Sequence, residues 1–172
     1  AMDLREAYLA ALDRDATRGD REHWHRLLDG WVAAYAGGAR DTTLVGRYTS
    51  DFPIADLVAR GAQLPAVLSG EAASSLAGGD LRPATLDLYL HGAPGPLISA
   101  ARLRPDPAGA ISVRKASWTP LAESDGARHA PAALAPGAVV YADLIALADP
   151  RAQEAARRWL HDDPTLRSFL AD

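Results

Sequence analysis

The sequence contains no cysteine. That excludes a disulfide framework, a thiolate metal site and a thiol nucleophile. Lysine is nearly absent too: Lys115 is the only one, so positive charge is carried almost entirely by arginine. Positive charge is also in the minority, 18 Lys and Arg against 22 Asp and Glu, for a net charge of −4. Such a balance argues against a surface built throughout for nucleic acid. No apolar run is long enough to span a bilayer; the longest, Ala138 to Ala148, is interrupted by Asp143. The N-terminus lacks the charged-then-apolar pattern of a signal peptide, so the expected compartment is the cytoplasm, with no membrane partner. Internal repeats are absent.

Catalytic signatures are missing as well. No serine sits in a G-x-S-x-G elbow. His23 and His25 are two apart on a helical stretch and face different ways, unlike an i, i+4 zinc pair. His91, His129 and His161 fall at a strand end, in a loop and at a helix end. No metal and no cofactor are expected.

What is present reads as an ordinary globular domain: 172 residues, 48% apolar and 23% charged. Asp3 and Glu6 make a capping-box pattern ahead of Leu4, Tyr8, Ala11 and Leu12, and Gly19 closes that helix. Asp20 is placed to cap a second helix, with Trp24, Leu27, Leu28, Trp31 and Tyr35 on one stripe, stopped by Gly37-Gly38. Residues 1–36 therefore read as an amphipathic helical hairpin that must dock on something, and its Trp24 and Trp31 offer a homodimer face.

Residues 37–172 have another texture. "TTLVGRY" reads as a strand, and Pro53 opens a helix that runs through Leu57 and Val58 to Gly61. "PAVLSG" is a short apolar segment, "EAASSLAG" a short helix and "ATLDLYLHG" a strand. On that strand Leu86, Leu88 and Leu90 share one face, with Asp87 and Tyr89 on the other. A short helix follows around Leu97 to Leu103, then a strand, "AISVRKASW". Residues 120–136 read as a surface loop. Two helices then close the chain. Tyr141, Leu144, Ile145 and Ala148 form one face of the first. The second is capped by Asp149-Pro150 and carries Ala152, Ala155, Ala156, Trp159 and Leu160; Asp163-Pro164 starts a last turn. The expected fold is α/β (α+β): a small sheet packed by helices, preceded by the helical hairpin.

Three clusters bear on chemistry. The stretch "LSGEAASSLAGGDLRPATLDLYL" follows the turn–helix–strand layout that nucleotidyltransferases use, with Ser69-Gly70 in the place of a phosphate-cradling turn. Two-metal transfer needs two carboxylates one residue apart on the strand. Asp87 fits the first position, but Tyr89 stands in the second, and the later strand offers Arg114 and Lys115 in place of a third acid. The stretch therefore reads as scaffold. Second, Arg102, Arg104, Arg114 and Lys115 lie between Leu97 and Trp118 against the single acid Asp106. A strand pair bearing them could bind an acidic partner or nucleic acid, or could be a solvated hairpin with local pairing. Third, Tyr141, Asp143 and Asp149 have structural accounts: Asp149 as an N-cap and Asp143 as a polar position between apolar neighbours.

The ordered series "LVGRY", "SGEAASSLAGGDLRPATLDLYL", "RLRPDPAGAISVRKASW" and "VVYADLIALADPRAQEAARRWL" resembles the C-terminal domain of AbiEi-type antitoxins of type IV toxin–antitoxin systems, over roughly residues 32–160. The resemblance implies a family of transcriptional autoregulators. Members typically bind their own promoter through an N-terminal winged helix, and their C-terminal domain counteracts a nucleotidyltransferase toxin. Residues 1–36 carry seven acids against five arginines and only two helices, the wrong sign and size for that DNA-reading element. The chain is thus expected to be a piece without its winged helix, or a short relative. Promoter DNA would be bound only through such a missing element.

The resulting expectation is a non-enzymatic antitoxin-like regulator that contacts a cognate nucleotidyltransferase toxin. Its domains are a hairpin over 1–36 and an AbiEi-like domain over 37–172. The candidate partner-binding residues are Arg102, Arg104, Arg114, Lys115 and an exposed face with Asp87 and Tyr89. The alternatives are a minimal or degenerate nucleotidyltransferase, using Asp87 with an acid such as Asp143, and a nucleic-acid-binding module built on the basic hairpin.

Overall fold

The computed structural model of the chain describes residues 18–118 and 134–167. The first helix expected above, and the loop expected over 120–136 except its last residues, lie outside them. The chain forms two compact units: residues 1–40 with 136–172, and residues 41–135. Among the described residues the architecture is mixed α/β, as the pattern of elements implied. No described helix is long and apolar enough to cross a membrane.

The central unit is built on a five-stranded sheet of order β2-β3-β5-β1-β4. Its strands are β1 (Leu44–Ser50), β2 (Val67–Ser69), β3 (Leu86–Leu90), β4 (Leu103–Pro105) and β5 (Ile111–Lys115). β3 and β5 run parallel; the pairs β2·β3, β1·β5 and β1·β4 are antiparallel. Strand alternation sorts the side chains. Leu86, Leu88 and Leu90 of β3, with Ile111 and Val113 of β5, join Tyr48 and Leu68 in one apolar core. The short helices supply the rest of that core: Leu57 and Val58 from Ile54–Ala59, Ala72 from Gly70–Leu76, and Leu97 from Gly95–Ala100. Each fully buried leucine contributes roughly 1.5–3 kcal/mol by leaving water.

Two turns depend on glycine. Gly70 has φ 56°, a left-handed conformation that lets β2 turn directly into the next helix. Gly109, between β4 and β5, lies so close to the carbonyl of Tyr48 that a Cβ would collide with backbone. Behind β3, the buried Glu71 (3% exposed) accepts the N–H groups of Ala84 and Thr85 at 2.8 and 2.7 Å, and the Thr85 hydroxyl at 3.0 Å. One carboxylate thus holds the run into the strand.

Two expectations need correction here. The apolar strand over 111–115 and the basic residues at 102–104 do not form a hairpin, because β1 lies between β4 and β5. The helix expected around Leu97 to Leu103 stops at Ala100, and Leu103 begins the edge strand β4. Pro105 limits this edge, since it has no N–H to offer a further strand.

The other unit is helical. α1 (Arg18–Ala34) buries Leu28 and Val32. It is helical already at Arg18, so Asp20 lies within it instead of capping it. It is interrupted where Gly37-Gly38 implied: a wide turn over Tyr35–Ala39 follows Ala34, the backbone leaves helical geometry at Gly38, and a separate helical turn follows at Arg40–Thr42. The C-terminal helices are Gly137–Ala146, Pro150–Asp162 and Pro164–Arg167. The Asp149 side chain caps the second, accepting the Arg151 N–H at 2.7 Å. Asp163 caps the last, accepting the Leu166 N–H at 2.9 Å. The Trp159 indole donates to the Gly137 carbonyl at 3.0 Å, pinning helix Pro150–Asp162 to the start of Gly137–Ala146.

Helix Gly137–Ala146 packs between α1 and Pro150–Asp162 and is buried on most of its circumference: Val139, Val140, Ala142, Asp143 and Leu144 are all at most 1% exposed. That corrects the expected Tyr141, Leu144, Ile145 and Ala148 face, of which only Leu144 is buried. It also corrects Asp143. A position read as polar and tolerated is wholly buried, and Arg40 meets it with Nε 2.7 Å from Oδ1. Buried charge persists only when paired, and Arg40 is the pair.

Candidate functional site

Strand register divides the six candidate residues into two groups. Asp87 lies opposite Ser112, and Tyr89 opposite Arg114, across the parallel β3·β5 pair. All four point to the face away from the leucines. Asp87 and Arg114 are diagonal neighbours there, and the Arg114 Nε donates to Asp87 Oδ1 at 2.9 Å. Arg114 also reaches the Thr43 hydroxyl at 3.5 Å. Tyr89 packs against Trp118 with ring centroids 4.8 Å apart, and Trp118 meets His91 edge-on at 5.9 Å.

This face is not solvent-exposed. Asp87, Tyr89 and Arg114 are 3%, 0% and 1% exposed, which corrects the expected exposed Asp87/Tyr89 face. Two contacts make that burial tolerable: the guanidinium neutralises the carboxylate, and Trp118 lies against the Tyr89 ring. Both polar side chains can then leave water. Arg114 consequently leaves the set of residues whose charge can be reversed without unfolding the sheet.

The arrangement speaks to the nucleotidyltransferase layout. Ser69 ends β2 opposite Asp87, and Gly70 turns into a helix, so the turn–helix–strand unit exists as a fold element. The carboxylate at its centre, however, already holds an arginine. A divalent cation would have to displace that guanidinium before Asp87 could ligate it. Asp143, the other acid considered, is likewise held by Arg40. Among the described residues no three His, Asp or Glu side chains are grouped to hold a metal ion.

The second group is exposed. Arg104 lies on β4 opposite Thr49, and Arg114 on β5 opposite Leu44, near the two ends of β1. Five residues of strand, roughly 17 Å, separate those positions, so the basic residues do not form one cluster. Arg104 pairs with Asp51 at 2.7 Å, both largely exposed. Such a surface pair contributes at most about 1 kcal/mol and leaves both groups available. Lys115 is exposed at the end of β5, where its backbone N–H donates to the Thr43 carbonyl at 2.7 Å.

Arg102 has neighbours that sequence reasoning missed. Its guanidinium carbon lies 5.1 Å from the centre of the Phe52 ring, and that of Arg60 lies 4.4 Å from the same centre. Phe52 follows β1 and Arg60 closes the helix Ile54–Ala59, so the cluster joins three segments. The nearest sequence signal was Pro53, read as the opening of a helix.

Two titrating groups lie elsewhere. Tyr141 is pushed above its ordinary pKa of 10.0, first by burial and then by the negative charge of Asp29, with Arg157 opposing. Asp149 is held below the usual 3.8, chiefly by the Arg151 N–H it accepts at the helix start.

A family model described as transcriptional regulator, AbiEi antitoxin, type IV TA system matches residues 22–163. Comparison with curated proteins and with solved structures finds no match.

Proposed function

Since the chain belongs to the AbiEi family of antitoxins and transcriptional regulators of type IV toxin–antitoxin systems, we propose that it is a non-enzymatic regulator that counters a nucleotidyltransferase toxin by protein contact. One observation carries the non-enzymatic part: the carboxylate at the transferase-like position, Asp87, is buried against Arg114. Its Oδ1 is engaged by the Arg114 Nε–H, so a metal would have to displace or share that guanidinium in a buried place. The regulatory contact is assigned to residues 37–172, through the exposed Arg102, Arg104 and Lys115. Complementary charge there would steer association with an acidic toxin surface and quicken encounter. Promoter binding is not assigned to residues 1–36, where acids outnumber arginines seven to five.

The test is co-expression with the product of the adjacent toxin gene, followed by size-exclusion chromatography and an assay of nucleotidyl transfer. The expected result is a complex that lowers transfer, weakened when Arg102, Arg104 and Lys115 are reversed to Glu at unchanged thermal stability. Two results would overturn the reading. One is a folded chain that leaves the toxin fully active; the other is Mg²⁺-dependent nucleotide transfer by the chain itself, lost in Asp87→Asn.

A further inference from the structure

Arginine side chains on a surface usually find a carboxylate or remain mobile in water. Arg60 and Arg102 do neither. Both are exposed, neither has an ion pair among the described residues, and both rest on the half-buried ring of Phe52. With the guanidinium carbons 4.4 and 5.1 Å from one centroid, the two groups lie within about 9.5 Å of each other. The ring attracts each cation through its quadrupole and limits the rotamers each explores. Asp51, the residue before Phe52, pairs with Arg104 instead.

The backbone beneath is fixed by Ser50. Its hydroxyl donates to the Ala101 carbonyl at 2.6 Å and accepts the Phe52 N–H at 3.0 Å. One side chain thus ties the residue before Arg102 to the residue that carries the ring. Arg102 itself has φ 48°, the left-handed region, at the position after the helix Gly95–Ala100 where glycine is the low-cost choice. A strained non-glycine residue presenting a preset cation is an observation from which function can be argued.

We propose that Arg60, Phe52 and Arg102 form a preorganised clamp for an acidic protein segment, one guanidinium for each of two neighbouring carboxylates. This deepens the contact surface proposed above and rests on it. Guanidinium suits the task because its fork binds a carboxylate through two parallel hydrogen bonds, which an ammonium cannot do. An acidic peptide is favoured over nucleic acid by charge. A phosphate backbone needs a continuous positive track, whereas this clamp holds two cations beside an Asp51–Arg104 pair, on a chain of net charge −4. Two carboxylates on successive turns of a partner helix, or on one face of a strand, need no such track.

The test uses the whole chain, labelled so that arginine Nε–H signals are visible by NMR, titrated with a hexaglutamate peptide and separately with a hexauridylate of similar charge. Hexaglutamate should shift the Arg60 and Arg102 signals selectively and saturably. The double variant Arg60→Gln with Arg102→Gln should weaken binding about tenfold, the combined loss of two exposed contacts at about threefold each. Arg60→Lys with Arg102→Lys should weaken it as well, because the charge remains and the fork does not. Circular dichroism would establish that the variants are folded. Absence of a selective shift, or equal binding by the double Gln variant, would overturn the clamp. So would tighter binding of hexauridylate through the same two signals, which would assign the site to nucleic acid. The antitoxin reading fails separately: hexaglutamate bound at the clamp, with a toxin left uncomplexed and active, would remove that reading and leave the clamp standing.

Discussion

Replacing Arg114 by methionine would leave the Asp87 carboxylate without the arginine that meets it at 2.9 Å, with the acid's side chain only 4% exposed. Breaking a buried pair from one side typically costs about 3–5 kcal/mol, because an uncompensated charge stays in a poorly solvating place. For a chain of this length, each kcal/mol lowers Tm by about 2–4 °C, so the variant should melt roughly 6–20 °C earlier. Asp87→Leu should cost a similar amount by stranding Arg114. The double variant Asp87→Leu with Arg114→Met removes both charges and fills the space with apolar atoms. It should return to within about 2 kcal/mol of the parent, since such replacements are often neutral. Urea denaturation followed by circular dichroism supplies the four corners of the cycle. An Arg114→Met cost below about 1 kcal/mol, or a double variant as unstable as the two singles summed, would refute the reasoning. Amide NMR of the double variant adds a second readout: more than one set of β3 and β5 signals is expected if the ion pair also sets strand register.

Glu71→Ala should destabilise the central unit by about 2–4 kcal/mol in the same urea assay, because two backbone N–H groups and the Thr85 hydroxyl lose their acceptor. Glu71→Gln, which keeps one acceptor oxygen, should recover part of that loss; full tolerance of alanine would show that water replaces the carboxylate. For Tyr141 the neutral phenol is favoured in the fold, so its contribution is fully present below the unfolded pKa near 10.0 and is lost as pH rises through the higher folded value. Titration by tyrosinate absorbance should show a phenol above 10.0 that Tyr141→Phe removes, and a fall in stability above pH 10 that is smaller in that variant. Tyr141 titrating at or below 10.0 would contradict the burial argument.

Local chemistry was legible in the sequence wherever it acts over a few residues. Asp149-Pro150 and Asp163-Pro164 announced a helix start and a last turn; Asp149 caps as expected, and Asp163 is found to accept the Leu166 N–H as well. The alternation at 86–90 located β3 and sorted its two faces. What the letters could not carry was the partner. An aspartate facing water and an aspartate facing an arginine look alike, and Arg114 reaches Asp87 only through a parallel pairing 27 residues away. Asp143 was misread for the same reason, its arginine lying 103 residues upstream. The hairpin was misplaced because consecutive strands usually pair, whereas here β1 intervenes. The Phe52 cluster was invisible because it assembles a strand exit, a helix end and a left-handed turn, none of which advertises the others.

The scarcity of lysine now acquires a structural sense. Arginine serves this chain in two environments that ask for the same geometry. Arg114 and Arg40 sit in buried pairs, where a planar and weakly hydrated cation costs less to desolvate than an ammonium. Arg60 and Arg102 sit on an aromatic face, where the same planarity lets them stack. The buried pair also carries information that an apolar pair would not. A slip of one residue between β3 and β5 would swing Asp87 toward Leu57 and Leu97 and bury a lone charge in the leucine core. Two leucines in place of Asp87 and Arg114 would tolerate that slip. A role in register therefore predicts the extra β3 and β5 signals in the double variant, on the sheet whose edge strand β4 and Ser50 tie present the exposed arginines. Asp87 is thus held within the scaffold by Arg114, and the partner contact we propose falls on guanidiniums that remain exposed.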